Sequence, residues 1–254
     1  MPARIAAAAA SLTLALGAAG CMGFYEIPIE TPIQAKMDVS KFQRVLIAGF
    51  LAGGSKAVDP NTETARLLRS QLRTKSELKV IDADVRSLVD EVDKRRDPSS
   101  PAPAQPVDEP KIKDEKDLQA YEKIFADVDY WKRIGEEYQQ PLIVTGSVLF
   151  QEISRSGSQS SVQETIGPDG RRDTQEVRSF VDRKGFALIP KFVFIDGRTG
   201  QQLYAEGGRE EVLYPSTQNT PALSAYFELM DKLLPGFLNT LSTQKIKGTR
   251  ILLK

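Results

Sequence analysis

Short apolar runs alternate with helical periodicities along the first third of the chain. A strand is predicted at 44–50, where "RVLIAGF" is almost continuously apolar. Asp59 and Pro60 then predict an N-cap followed by proline at the first helical position, with a helix that extends to about Lys75. The run "LKVIDAD" at 78–84 predicts a second strand. The chain therefore opens with a strand–helix–strand unit.

Two longer helical patterns follow. One extends from about Leu118 to Gln139, in one or two pieces, and Trp131 within it is predicted to lie in the core. The other begins at Thr220–Pro221, where a cap followed by proline is again predicted. It carries an apolar stripe that predicts packing against a sheet, with a kink at Pro235. A final strand, "GTRILL", is predicted to follow it.

Three strands are predicted between these helices. The runs "PLIVTGSVLFQEIS" and "KGFALIPKFVFID" are typical of central strands, although Pro190 in the second indicates an edge or a bulge. The turn sequence "DGRTG" at 196–200 predicts a hairpin to the third run, "QQLYAEGGREEVLY". The predicted fold is α/β (α+β): a mixed β-sheet with about three helices packed on it, closing with hairpin, helix and strand.

Two segments interrupt this pattern. Residues 97–113 hold five prolines and few apolar residues, which predicts an exposed insertion that contributes nothing to the core. Residues 155–184 are polar, with "GPDG" near the middle, and are compatible with a long hairpin or with a mobile loop. Residues 22–41 contain two prolines and no sustained period, which predicts a tether.

The composition excludes several kinds of chemistry. Lys plus Arg and Asp plus Glu both number 34, so no net charge favours nucleic acid as a partner. Histidine is absent and there is one cysteine, which excludes His/Cys metal clusters and Ser–His or Cys–His nucleophile pairs. No metal and no cofactor are predicted. Carboxylate-only chemistry and the binding of a hard cation survive this test, but no pair of acidic residues indicates either of them.

The N-terminus is typical of an exported protein. Arg4 precedes the apolar stretch "IAAAAASLTLAL" and the small residues "GAAGC". About 12 apolar residues are too few for a spanning helix, which needs about 20, so residues 1–20 are predicted to be a signal peptide. A single cysteine cannot form an internal disulfide, and Cys21 stands at the predicted cleavage site.

This arrangement resembles the lipobox of bacterial lipoproteins, although Ala18 stands where that motif usually has leucine. The resemblance implies that Cys21 is diacylated and becomes the new N-terminus, with residues 21–41 as lipidated tether. Met22 is not the aspartate associated with inner-membrane retention. The implied location is the outer membrane, lipid-anchored and facing the periplasm. A chance cysteine in an ordinary secretory peptide is the alternative.

The glycine segment "GFLAGGSK" at 49–56 invites comparison with a phosphate-binding loop. Gly49 and Gly54 have the P-loop spacing, but Ser55 and Lys56 stand in reversed order. A capping aspartate at residue 59 also places negative charge where a phosphate would bind. The segment is therefore predicted to be a strand-to-helix connection, and nucleotide binding is not predicted.

The order of elements resembles the α/β domain shared by curli-secretion (CsgG-type) lipoproteins, the N-terminal domain of the Tol-system translocation protein, and lipoprotein activators of peptidoglycan synthases. The stretches that carry the resemblance are "RVLIAGF", "LKVIDAD", "IGEEYQQPLIVTGSV" and "KFVFIDGRTGQQLY". It covers one domain at 42–254. The family shares no active site, and the resemblance implies a sheet-and-helix domain used for protein contacts near the outer membrane.

Three functional hypotheses follow. The first is a non-enzymatic envelope lipoprotein, held by acyl chains on Cys21, that binds envelope proteins or copies of itself in envelope assembly or maintenance. The second is an oligomeric curli-type secretion channel component. In that channel, transmembrane hairpins alternate apolar and polar residues, and residues 155–184 are too charged on both faces for this. The third, a nucleotide-binding enzyme, has the least support.

Overall fold

The computed structural model describes residues 24–95, 111–166, 168 and 170–253. Contacts group these residues into a large unit, Ala35–Ser242, and a small unit formed by the chain up to Gln34 and from Thr243 onward. The predicted signal peptide, Cys21 and residues 97–110 of the predicted insertion lie outside the described residues.

The described residues form a mixed α/β fold, which confirms the predicted fold class. The elements are, in order, β1 (Phe24–Ile33), β2 (Arg44–Gly54), α1 (Pro60–Lys75), β3 (Lys79–Ile81), α2 (Leu88–Arg95), α3 (Glu115–Tyr121), a 3₁₀ turn (Glu122–Ala126), α4 (Val128–Glu137), β4 (Leu142–Ile166), β5 (Arg172–Asp196), β6 (Gln202–Gly207), β7 (Glu210–Pro215), α5 (Ala222–Leu241) and β8 (Gln244–Leu253). The pattern at 118–139 thus divides into three short pieces, and α2 was not predicted.

The central sheet has the strand order β3-β2-β4-β5-β6, and β7 also pairs with β5. The pairs β2–β3 and β2–β4 are parallel, whereas β5 runs antiparallel to β4, β6 and β7. The predicted turn joins β5 to β6, with Gly200 at φ 73° and its N–H donating to the Asp196 carbonyl at 2.7 Å. Pro190 stands between the stretches of β5 that β6 and β7 pair, so its lack of an N–H is tolerated.

Helices cover both faces of this sheet. One layer is α1 with α5, and its core includes Leu68, Leu72, Phe150, Phe194, Tyr226 and Met230. The other layer is α2, α3, the 3₁₀ turn and α4, and its core includes Leu88, Leu118, Phe125, Trp131, Ile143 and Val193. Trp131 is fully buried, and its Nε1 donates to the Ile124 carbonyl at 2.8 Å. Coverage on both faces explains why the beginning of β4 and the end of β5 are nearly continuous apolar runs.

A bulge at Gly49 reverses the alternation of β2. Ile47 and Phe50 pack in the same layer although only two residues separate them, because the register with β4 shifts between Ile47 and Gly49. The polar groups at the bulge are satisfied by neighbouring side chains. Asn61 Oδ1 accepts from the Phe50 N–H at 2.7 Å, and Thr145 Oγ1 donates to the Gly49 carbonyl at 2.8 Å.

The small unit is a two-stranded antiparallel ribbon of β1 and β8. Its register runs from Phe24 opposite Leu253 to Ile33 opposite Gln244. The structure differs here from the predicted tether at 21–41, of which 24–33 is a strand, and from the predicted domain at 42–254, whose end belongs to the ribbon. A partner strand more than 200 residues away leaves no local signal in β1.

Two further expectations need correction. Ile112, within the predicted exposed insertion, is fully buried in the core, and its carbonyl accepts from the Gly54 N–H at 2.9 Å. One large apolar side chain beside the prolines is therefore enough to return the chain to the core. At the start of α5 the N-cap is Pro221, with no side-chain hydrogen bond, so Thr220 does not cap the helix.

Candidate functional site

β4 and β5 continue far beyond the sheet. Pairing of β4 with β2 ends at Phe150, and pairing of β5 with β7 ends at Arg183. Beyond these points, in the part of the chain that the structure describes, the two strands pair only with each other until Ile166 meets Arg172. We call residues 155–166 and 172–183 the hairpin arm. At about 3.4 Å per residue, each of its strands extends about 40 Å.

The arm settles the alternative left open for residues 155–184, since the polar segment forms a hairpin. Gly170, within the predicted turn region "GPDG", has φ 74°. Such a conformation favours glycine, which allows the chain to reverse at the tip. The sequence left the choice open because neither strand alternates apolar and polar residues strongly enough to show a period of two.

One face of the arm displays large apolar side chains. Successive residues of a strand point to opposite faces, so the even-numbered residues of both strands share one face, which we call the Phe180 face. On it, Val162, Ile166 and Phe180 are 72%, 75% and 73% exposed. Their register positions follow one another at steps of four residues, or about 13 Å. Five charged residues share this face with them: Glu164, Arg172, Glu176, Arg178 and Asp182.

The base of the arm is braced by β7 and α5. Arg155 forms an ion pair with Glu211 of β7. Tyr214, also in β7, donates from its hydroxyl to Glu228 of α5 at 2.7 Å. Burial and this hydrogen bond raise the pKa of Tyr214 to about 12, so the hydroxyl stays protonated and remains a donor at neutral pH. Contacts with β7 and α5 therefore hold the base of the arm in place where it leaves the central sheet.

An open groove of about 640 Å³ lies between α3 and the strands β5 and β6. Its charged residues already have partners. Lys191 pairs with Glu122 at 2.8 Å, and Arg209 pairs with Glu115 at 3.5 Å and with Glu211 at 2.9 Å. Charges neutralised in this way leave little to attract a charged small ligand.

The glycine segment at 49–56 is not a loop at its beginning. β2 continues to Gly54, and the strand-to-helix connection is confined to the residues after it. A Cβ at Gly54 would lie 1.9 Å from the Phe150 carbonyl oxygen, so the glycine permits close strand packing. The N-terminus of α1 is occupied by the Asp59 carboxylate, which accepts from the Asn61 N–H at 3.1 Å. The predicted cap is therefore confirmed.

Other chemistry is sparse within the described residues. They contain no cluster of three or more acidic or cysteine side chains placed to hold a metal ion. Nor do they contain a helix that is both long enough and apolar enough to cross a membrane. Cys21, the one site residue predicted from the sequence, lies outside them. The hairpin arm is the feature that sequence reasoning could not assign, and among the described residues of the large unit it carries the most exposed large apolar side chains.

The stretches that carry the family resemblance belong to the large unit. "RVLIAGF" lies in β2, and "LKVIDAD" contains β3. The other two stretches contain the beginning of β4 and the end of β5 with the turn to β6. This agreement concerns the order of elements, whereas membership of the family stays a prediction. No protein-family model matches the chain, and no curated protein matches it significantly.

Proposed function

We propose that this protein is a non-enzymatic lipoprotein of the cell envelope that acts through protein–protein contacts made by the hairpin arm. Acyl chains on Cys21 would hold it at the periplasmic face of the outer membrane, where it would take part in envelope assembly or maintenance. The observation that supports the contact function is the exposed apolar row Val162, Ile166 and Phe180 on an arm about 40 Å long.

The exposed apolar residues of the arm are unfavourable in free energy unless a partner covers them. Large apolar side chains in water lose the stabilisation that burial would give, about 1.5–3 kcal/mol for each. The arm also presents unpaired strand edges, which are a risk for aggregation. None of the described residues of the arm belongs to the core, because the core residues of both layers lie before residue 155 or after residue 183. A contact surface explains these features together.

The charges between the apolar residues suit a specific protein partner. Aromatic and aliphatic anchors surrounded by polar residues are typical of protein interfaces, in which a few anchors supply most of the binding energy. Ser160 donates to Glu176 across the arm, and Arg172 lies 3.8 Å from Glu164 near the tip. Such cross-strand contacts hold the row of anchors in register.

Site-specific photo-crosslinking in intact cells tests the arm. A photoreactive residue at Phe180 should give discrete adducts with an envelope protein or with a second copy. The matched control is Leu203 in β6, which is 44% exposed but lies outside the arm. Equal adducts at both positions, or none at Phe180, would contradict the proposal.

Membrane fractionation tests the anchor. The Cys21→Ser variant should leave the outer-membrane fraction and appear soluble in the periplasm, because it has no thiol to acylate. Its arm and its folded domain are unchanged, so a loss of membrane association can be assigned to the cysteine. A variant that sediments with outer membranes to the same extent as the wild type would contradict acyl anchoring.

A secretion-channel component is the second candidate, and the length of the arm favours it. Each strand of the arm has 12 residues, and a membrane-crossing strand needs about 9–11. The distribution of charge is unfavourable, because five charged residues share the Phe180 face with the three apolar ones. Each charge facing lipid near the bilayer centre would cost up to about 2–4 kcal/mol.

Mass measurement in solution separates the two candidates. The lipidated chain in detergent is compared with a variant in which an Asn-Gly turn replaces residues 156–182. A closed ring that forms only when the arm is present would favour the channel. The docking proposal expects no closed ring from either protein, with loss of the crosslinked partner from the shortened one.

A further inference from the structure

The ribbon of β1 and β8 is amphipathic. On β1, the odd-numbered residues Tyr25, Ile27, Ile29 and Ile33 form one face, and they are 59%, 43%, 40% and 37% exposed. The opposite face carries charged side chains, since Glu30 pairs with Lys245 at 3.2 Å and with Lys247 at 3.8 Å, and it holds one exposed apolar residue, Ile251, which is 61% exposed. A two-stranded ribbon with an uncovered apolar face is at best marginally stable in water. Some apolar medium or surface is needed to explain this face.

The short distance along the chain from Cys21 to β1 indicates that this medium is a lipid bilayer. Only Met22 and Gly23 separate Cys21 from the first residue of β1. Three residue steps of extended chain span at most about 11 Å, and the polar layer on each side of a bilayer is about 5–8 Å thick. If Cys21 carries acyl chains inserted in the bilayer, β1 therefore begins at the level of the lipid headgroups.

We propose that the apolar face of the ribbon lies flat on the membrane surface, as a second membrane contact beside the acyl anchor. This inference rests on the proposed acylation of Cys21. A flat orientation is required because the apolar residues extend from Tyr25 to Ile33, a distance of about 27 Å along the strand. An upright ribbon would bring only the first of them to the lipid.

The ribbon's other side chains suit this orientation. Arg250 is the register partner of Ile27 and is exposed, so its long side chain can reach the phosphate of a lipid headgroup from the apolar face. Tyr25 is an aromatic residue of the kind that favours membrane interfaces. Pro28 and Pro32 lack N–H groups and make the outer edge of β1 a poor template for a further strand, which disfavours a second copy there.

Site-directed spin labelling of the lipidated, full-length mature chain tests the inference. Acylation consumes the thiol of the chain's only cysteine, so an introduced cysteine is the single free thiol. Labels are placed at residues 26–31 and 33 one at a time, in vesicles of phosphatidylethanolamine and phosphatidylglycerol. Accessibility is measured to oxygen, which dissolves in lipid, and to a nickel chelate, which stays in water.

The expected result is an alternation with a period of two. Ile27→Cys, Ile29→Cys and Ile33→Cys should show a severalfold higher ratio of oxygen to nickel accessibility than the matched control Glu30→Cys. Equal water accessibility at all positions would overturn the inference, as would a decay from residue 26 to 33, which indicates an upright ribbon. Shielding of the odd positions from both reagents would also overturn it, because protein would then cover the face.

Mass spectrometry of the same samples separates this inference from the proposed function. A mature protein with acyl mass on Cys21 but without the alternation would retain the anchor and reject the flat ribbon. A mature protein without acyl mass would remove the premise and overturn both. A Cys21→Ser chain added to the same vesicles should show a lower fraction bound than the lipidated chain and lose the alternation in the unbound fraction.

Discussion

The inner and outer halves of the β4–β5 hairpin share one continuous hydrogen-bond ladder but differ in the layers that pack on them and in the exposure of their apolar residues. The inner half, 142–150 with 188–196, lies between two layers of helices and is almost entirely apolar. The outer half, the hairpin arm, has no helical layer, and its large apolar residues are exposed. Backbone pairing alone therefore does not determine what a strand does. The inner half stabilises the domain, and the outer half is free to serve contacts.

Two phenylalanines on the same face of this hairpin provide the largest test. Phe150 is buried, stacks on Phe186 at 5.1 Å and meets Tyr226 edge-on at 5.3 Å. Phe150→Ala should lower the free energy of unfolding by about 3–5 kcal/mol, because it leaves a cavity. Phe180→Ala should change it by less than about 0.5 kcal/mol. Urea unfolding followed by circular dichroism measures both, and a similar loss in the two variants would contradict the division.

Two glycines of β4 sharpen the comparison. Gly146 has φ 143°, and a Cβ there would lie 1.8 Å from the Lys191 carbonyl oxygen, whereas a Cβ at Gly157 would meet nothing within 4 Å. Gly146→Ala should cost about 1–3 kcal/mol for the backbone conformation alone. Gly157→Ala should be neutral or slightly stabilising, because glycine weakens a strand interior. Thermal unfolding of the two variants would reveal an error if their midpoints shifted equally.

The bulge of β2 offers a smaller test with a polar control in the arm. Asn61→Ala leaves the Phe50 N–H and the Arg86 carbonyl without their side-chain partner. Because Asn61 is only half-buried, the loss should fall in the lower part of the range of about 1–3 kcal/mol for a lost buried partner. Ser160→Ala removes an exposed hydrogen bond to Glu176 and should leave the unfolding curve unchanged. An equal effect of both changes would argue against a structural role for the bulge.

Local signals predicted the fold well, and distant pairings escaped prediction. The Asp59–Pro60 start of α1, its end at Lys75 and the turn at 196–200 all depend on neighbouring residues, and the structure confirms them. The partner of β1 lies at the other end of the chain, so its prolines suggested a tether. The burial of Ile112 depends on the close approach of Gly53, which no local pattern reveals.

For the candidate site, the sequence predicted two alternatives and could not decide between them. The polarity of residues 155–184 indicated an excursion from the sheet, and the pattern could not distinguish a hairpin from a loop. The cross-strand register that aligns Val162, Ile166 and Phe180 becomes visible only once the strands are paired. The proposed lipid site is the reverse case: Cys21 is evident from the sequence and lies outside the described residues.

The two ends of the hairpin carry ion pairs that differ in burial and in hydrogen bonding. At the base, Asp196 accepts from the Arg198 backbone N–H at 2.8 Å and from its guanidinium at 3.1 and 3.0 Å. Partial burial opposes ionisation of Asp196, but the hydrogen bonds from Arg198 outweigh it and, with a contribution from Lys41, lower the pKa of Asp196. Near the tip, Glu164 and Arg172 are 3.8 Å apart and largely exposed.

A carboxyl group whose pKa is lower in the folded state stabilises the protein above its unfolded pKa, about 3.9 for aspartate. This stabilisation is lost as the pH falls through the folded pKa. Asp196→Asn should therefore flatten the decline in the free energy of unfolding below about pH 4, as the smallest of the four effects. The amide can still accept the Arg198 backbone N–H, so the turn should survive. Urea unfolding of Asp196→Asn and of the control Glu164→Gln, repeated across the acid range, measures the difference. Identical pH profiles for wild type and Asp196→Asn would mean that the base of the hairpin is as weakly held as its tip.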